Sequence, residues 1–350
     1  MRLTNTDVAL RPCWHPVALS AEVATDPVAV RLLGEDWVLA RLGGRVAAFP
    51  DRCPHRLAPL SLGRIEGPVD SQVLRCGYHG WCFNARGDCV EIPAMTAGAT
   101  LPPRAQLTPA AMVAEHDGIV FVALEAPRTE ILVVPEAFGP GFLHGYLGPL
   151  RAAVGAGLMI DNFLDLTHFP FVHAATIGVD DETRFDFEIE RQGLGMTVRS
   201  EHLFPNREDP AVAAGTRPLL QRRRLTYTYR APFSVCLRID YIEAGGTNIL
   251  SFHVQPEDDE SCRIYTLVAR NDLDGDTTRM AEALSFEHKI VEEDLAVQER
   301  YRDKRLPLNP TVEVHIRADR ATLEMRRILR DLVDVSSASR PDNSAEGRTP

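Results

Sequence analysis

The sequence predicts an α+β chain. An all-β domain is expected over residues 1–128, then a second domain over 129–335 with an antiparallel sheet and C-terminal helices. A disordered tail is expected at 336–350. Three observations carry this reading. Short apolar runs bounded by turn residues fill the first third. Strand-like segments return between 183 and 270. Two long patterns of helical period, roughly 277–304 and 318–333, follow them.

The elements are argued in order. Trp37 to Leu42 is an apolar run closed by Gly43-Gly44, and Arg45 to Phe49 follows at once. Gly-Gly permits the positive φ angles of a tight turn, so this is a hairpin. Gly118 to Leu124 reads as a buried strand, and Pro127 marks a boundary. From Met159 to about His168 a helix is expected, which Pro170 interrupts because proline lacks an N–H and clashes with the preceding turn. Leu225–Arg230 and Asn248–Val254 are strands of the second domain. Ser, Pro, Gly and Asp dominate from Ser336 onward, as in disordered termini.

Composition bounds the function. The 350 residues are 45% apolar, enough for a large core, which excludes a disordered chain or a disulfide-stapled miniprotein. The net charge of −11 argues against nucleic acid and anionic membranes as partners. No apolar run reaches the length of a membrane span, and the N-terminus carries no secretion signal pattern. Seven cysteines fit a disulfide framework poorly. A reducing cytoplasm is expected, where grouped Cys and His are metal ligands or redox groups.

Two constellations carry chemistry. Cys53-Pro54-His55 is followed, twenty residues on, by Cys76-Gly77-Tyr78-His79. Two loops offering one thiolate and one imidazole each can close around a metal centre. Two Cys plus two His match a Rieske [2Fe–2S] centre, and a Cys₂His₂ zinc site is the alternative. The segment Glu66 to Gln72 reads as an enlarged turn between the loops. The other cysteines lack a paired His and read as buried structural thiols.

The second constellation is Asn162-x-x-Asp165-x-x-His168-x₄-His173. Two His need a carboxylate to form the facial triad of a non-haem Fe(II) oxygenase. Phe286, Ile290, Asp294 and Val297 share one face of a helical pattern, so Asp294 sits on an apolar stripe. A buried carboxylate must pair or coordinate a metal. Asp294 is therefore the candidate third ligand, with Glu293 the fallback and pairing with Arg300 the structural alternative. The remaining His residues, at 15, 116, 144, 202, 253, 288 and 315, read as structural or surface groups.

Cys53-Pro54-His55-Arg56 and Cys76-Gly77-Tyr78-His79-Gly80-Trp81 resemble the cluster loops of Rieske oxygenases. With the Asn162–His173 motif and a downstream Asp, the resemblance to Rieske non-haem iron oxygenases covers nearly the whole chain. The length and the segment His315–Thr322 resemble the vanillate O-demethylase-like branch. High-potential Rieske proteins are similar but carry disulfide cysteines where this chain has Ala58 and Tyr78, and a Ser where it has Trp81. Fewer hydrogen bonds to the cluster sulfurs imply a low potential.

The resemblance implies a helix-grip-like catalytic domain and a multicomponent monooxygenase. A reductase or ferredoxin, drawing on NAD(P)H, would feed the cluster at Cys53, His55, Cys76 and His79. Electrons would pass to Fe(II) held by His168, His173 and Asp294, with O2 as co-substrate. A head-to-tail homotrimer would place one subunit's cluster beside the next subunit's iron, with Asp165 bridging His79 and His168 across that interface. Asn162 would lie near the iron. The reaction would be hydroxylation or O-/N-demethylation of a small aromatic or heterocyclic substrate. The competing readings are a natural-product hydroxylase and an electron-transfer Rieske protein; a zinc-stabilised binding module is the third.

Overall fold

The computed structural model describes residues 1–96, 98–178, 186–207 and 209–338. The N-terminal region holds three small antiparallel sheets. One pairs His15–Leu19 with Ile119–Ala123 and Met112–His116. A second is the meander Val28–Leu32, Glu35–Leu42 and Arg45–Pro50. The expected hairpin turn falls at Gly43 and Gly44, with φ of +64° and +77°. The third pairs Arg64–Glu66, Val73–Arg75, Cys82–Phe83 and Cys89–Glu91. Glu66 stands opposite Val73, so the segment between them is the enlarged turn expected from the sequence.

The second domain is a seven-stranded antiparallel sheet. Its strands are β1 (Leu143–Ala152), β2 (Glu188–Gln192), β3 (Gly195–Pro205), β4 (Leu220–Arg230), β5 (Ser234–Tyr241), β6 (Thr247–Asp258) and β7 (Ser261–Arg270). They lie in the order β1-β7-β6-β5-β4-β3-β2. From β2 to β7 this is a simple meander, and β1 closes beside β7. Its helices include α1 (Ala156–Phe163), the single turn α2 (Phe169–Val172), α3 (Thr277–Gln298) and α4 (Arg320–Ala338). The α3 helix starts cleanly because Asp276 accepts from the amides of Thr278 and Arg279. It lies across β1, with Leu284 seated where a side chain on Gly145 would clash.

Two expectations shift. Pro170 does not end the first helix. That helix stops at Phe163, and Pro170 stands in the first turn of α2, where a missing N–H costs nothing. On α3 the buried positions are Met280, Ala283, Val291, Asp294 and Gln298, while Val297 is 43% exposed. The stripe is rotated from the one expected, and Asp294 stays on it.

The two regions share a core. Val17, Val120 and Leu39 belong to the same apolar cluster as Met159, Tyr229 and Ile328. Arg2–Leu3 pairs with Leu306–Pro307, and Asn5 bonds to Asp258, Ser261 and Ala156. α4 runs to Ala338, and the rest of the expected tail, 339–350, lies outside the described residues. No described helix is long and apolar enough to cross a membrane.

Candidate metal centres and active site

The first constellation sits at the tips of the four-stranded sheet. Cys53 and Cys76 belong to a small separate core with Val38, Phe49, Leu60, Leu74 and Phe83. The Cys53 amide bonds to the Ala58 carbonyl and the Cys76 amide to the Trp81 carbonyl, both at 2.8 Å. Each loop is thus tied shut behind its ligands. Gly80 takes φ of +72°, and a Cβ on Gly77 would stand 2.6 Å from the Leu62 carbonyl oxygen. These two contacts explain the glycines flanking Tyr78-His79.

The cysteines are buried, His55 is half-buried and His79 is exposed, with the two ring centroids 4.5 Å apart. Trp81 stacks on His55 at 4.7 Å and 7°. Burial, reinforced by the neighbouring Cys76, pushes the Cys53 thiol up to about 11. A buried thiol pair of this kind is held as thiolate only by a cation. His55 Nδ1 is buried without a hydrogen-bond partner, as a metal-binding nitrogen would be.

Among the described residues, His168, His173 and Asp294 form a second group of donors, gathered within 4.8 Å of one another.

His168 caps the start of α2 and His173 its end, so a single helical turn aims both rings at one point. Their Nε2 atoms are 3.2 Å apart. Asp294 Oδ1, from α3, lies 3.3 Å from the first and 3.2 Å from the second. Asp294 is 3% exposed, and this oxygen has no hydrogen-bond partner. Two imidazoles and one carboxylate converging on a point are the donor set of a facial triad.

Electrostatics follow from this crowding. Burial pushes Asp294 up, but His168, His173 and the Asn162 amide outweigh it and hold it at about 2. Burial likewise pushes His168 down, but Asp165 and Asp294 hold it up at about 9.

Supporting residues were only partly visible in the sequence. Glu293 lies on the far side of His173, its Oε2 accepting from Nδ1 at 2.8 Å and from Thr176 Oγ1 at 2.5 Å. Arg300 bonds to the Ala296 carbonyl rather than to Asp294. Asn162 Oδ1 accepts from Gln298 Nε2 at 2.8 Å. Asp165 Oδ1 accepts from the Thr167 amide and hydroxyl, leaving Oδ2 3.7 Å from His168 Nδ1. Gln298 stands one helical turn beyond Asp294, the spacing that could have revealed it.

His168, His173 and Asp294 line a cavity of about 330 Å³ between the helices and the face of β3–β7. Its wall is apolar: Phe163 stacks on Phe252 at 3.9 Å, and Leu225, Leu237, Ile239 and Ile290 continue it. A second cavity of about 260 Å³ reaches the other side of the group, lined by Asp165, Val297, Tyr301, Val314 and Arg326.

Residues 13–108 match the Rieske [2Fe–2S] domain model. Residues 153–335 match the vanillate O-demethylase oxygenase C-terminal domain. The chain belongs to the vanillate O-demethylase oxygenase family. It is similar to methylxanthine N3-demethylase NdmB of Pseudomonas putida, 29% identical over 92% of this chain and 89% of that protein. The vanillate O-demethylase oxygenase subunit of a Pseudomonas strain is 28% identical, over 85% of this chain and 93% of its own. The solved structure of NdmB superposes with a TM-score of 0.83 at 26% identity, over 97% and 95% of the two chains. This oxygenase is thus a Rieske-type oxidoreductase and the oxygenase component of a multicomponent system. Its family uses a [2Fe–2S] cluster, mononuclear iron and O2, with electrons from a reductase.

Proposed function

We propose that this oxygenase removes an O- or N-methyl group from a small aromatic or heterocyclic molecule. The observation that carries the proposal is the convergence of His168, His173 and Asp294 on one wall of an apolar cavity of about 330 Å³. That volume suits a one- or two-ring substrate. Relatives named for methylxanthine N-demethylation and vanillate O-demethylation support the class.

Cys53, His55, Cys76 and His79 would hold the cluster; His168, His173 and Asp294 would hold the iron. Bound there, the two centres supply electrons and the activation of O2 for insertion into a substrate C–H bond. The protein does the rest. Glu293 accepts the His173 Nδ1 proton and so keeps the Nε2 lone pair turned inward. Gln298 holds the Asn162 amide beside Asp294. Phe163 and Phe252 exclude water from the substrate side. A hydroxylated O- or N-methyl group then breaks down to formaldehyde.

The assembly reading is a homotrimer in which one subunit's His79 reaches Asp165 of the next. His79 is exposed, Asp165 lines the outer cavity, and Val314 beside it is 96% exposed. A domain boundary near 128 and a cytoplasmic location complete the reading, the latter suiting the five cysteines outside the cluster loops, none of them in a disulfide.

The test has two parts. Dithionite-reduced protein is examined by low-temperature EPR before and after nitric oxide, expecting a Rieske signal and then a high-spin ferrous–nitrosyl signal. Formaldehyde release is then measured across methoxybenzoates, N-methyl heterocycles and betaines with a reductase. Both signals without formaldehyde from any methylated compound would overturn demethylation. Zinc in place of both signals would overturn the oxygenase assignment.

A further inference from the structure

The substrate cavity has two chemically different ends. Phe163, Asn162 and the metal-ligand group lie at one, against Tyr227 and Phe252. Tyr227 is buried there, and burial, then Asp165, push its hydroxyl pKa well up. The strand registers place Arg223 opposite Tyr241, and Asn248 opposite both Ile239 and Arg270. Arg223, Leu225 and Tyr227 alternate onto one face of β4, so Arg223 is four residues, about 13 Å, along the strand from Tyr227.

Arg223 is unusual for an arginine so placed. Its guanidinium lies between the rings of Phe204 and Tyr241, 5.4 and 5.1 Å from their centroids. Its one hydrogen bond among the described residues is to the Pro205 carbonyl, at 3.3 Å. Nε is buried with no acceptor, and no carboxylate among the described residues lies within ion-pair reach of the group. A guanidinium carries five N–H donors, so most of this fork is unused. Arg270, on the same end, differs: Asp272 takes two of its donors at 3.0 and 2.7 Å. Asn248 Oδ1 is also buried without a partner, while its Nδ2 reaches Glu287 at 3.5 Å.

We infer that the substrate is an aromatic acid, and that Arg223 binds its carboxylate at the end of the cavity away from the metal-ligand group. The inference rests on the oxygenase reading above and narrows its substrate class. The two rings flank the guanidinium, whose own planar fork a carboxylate matches with two N–H···O bonds. A neutral ligand would leave the Arg223 Nε donor without an acceptor in the cavity wall. Asn248 Oδ1 offers an acceptor to a ring hydroxyl or N–H on the same molecule.

The experiment is calorimetric binding to the iron-replete protein. The probes are 4-methoxybenzoate, 3-methoxybenzoate and 3,4-dimethoxybenzoate, each against its own primary amide. At least one acid should bind ten-fold or more tighter than its amide. Arg223→Met should remove that preference, and Arg223→Lys should keep part of it. Equal binding of every acid and its amide, no binding of any acid, or an acid preference that survives in Arg223→Met overturns the inference. The acid–amide comparison needs no variant, so a folding defect in Arg223→Met leaves it decisive. Cluster absorption and iron content on the same samples report on the oxygenase reading separately: both intact, with no acid preference, sinks only the substrate class.

Discussion

His173 donates from Nδ1 to Glu293 Oε2 at 2.8 Å while its Nε2 faces His168 Nε2 at 3.2 Å. A carboxylate can only accept, so Glu293 fixes which His173 nitrogen keeps its lone pair. That makes the two adjacent acids of α3 separable by experiment. Asp294→Ala should lose the mononuclear iron and leave the cluster absorption unchanged. Glu293→Gln should keep a site that binds iron about 10–100-fold more weakly. Metal analysis after dialysis reads both. Iron retained in Asp294→Ala but lost in Glu293→Gln would reverse the two roles.

Asp165 makes a different kind of prediction. Its Oδ1 is occupied by Thr167, and its Oδ2 faces His168 Nδ1 at the edge of the outer cavity. It touches a ligand, not the metal. Asp165→Asn should therefore retain both metal centres while steady-state turnover falls by about 100-fold. Single-turnover reoxidation of the reduced cluster by substrate and O2 should slow in step. A steady-state rate near wild type would refute the bridging role.

Arg326 ties the C-terminal helix to the metal site. It is 6% exposed and makes a paired contact with Asp161, at 2.9 and 2.6 Å, with Glu313 on its other side. Asp161 directly precedes Asn162 on α1. Arg326→Met strands a carboxylate whose pKa burial already pushes up, and should cost about 3–5 kcal/mol. Pairing it with Asp161→Leu should recover most of the loss, since apolar pairs replace buried ion pairs well. Denaturant melts of the wild type, both single variants and the double variant give the answer, and additive losses in the double variant would refute the coupling.

The candidate metal-binding residues were legible because each loop or turn carries its pair of donors within a few residues. Cys53 with His55, Cys76 with His79, and His168 with His173 need no tertiary contact to be noticed. Asp294 was legible for another reason, as a carboxylate in an apolar helical pattern. What failed to show were properties set by packing between elements. Val297 fits the expected stripe, yet α3 is rotated so that Val291 and Gln298 are buried instead. Pro170 has the same steric effect wherever it stands, and only the break in the helix at 164–168 turns it from a helix stop into a helix start. Arg223 is flanked by Arg222 and Arg224, which meet Glu243 and Glu201 on the surface. Strand alternation, invisible in a run of three identical residues, sends the middle one inward.

Two buried histidines outside the candidate metal sites make the fold sensitive to acid. His15 is fully buried and bonds through Nε2 to the Leu10 carbonyl at 2.8 Å. His253 lies between the hydroxyls of Ser234 and Ser251 at 3.0 and 2.9 Å, with Phe121 of the N-terminal domain on its edge. Burial pushes His15 down to about 4 and His253 to about 3. Unfolded, both titrate near about 6.5. Between those values the unfolded chain binds more protons, so stability is complete above about pH 6.5 and is lost as pH falls. Each histidine contributes a slope of up to about 1.4 kcal/mol per pH unit. Denaturant melts at intervals from pH 7 to 5 should show this fall. His253→Gln, which keeps one hydroxyl partner and cannot ionise, should be less stable at pH 7 yet flatter in its pH dependence by about half. An unchanged slope in that variant would assign the acid lability to other groups.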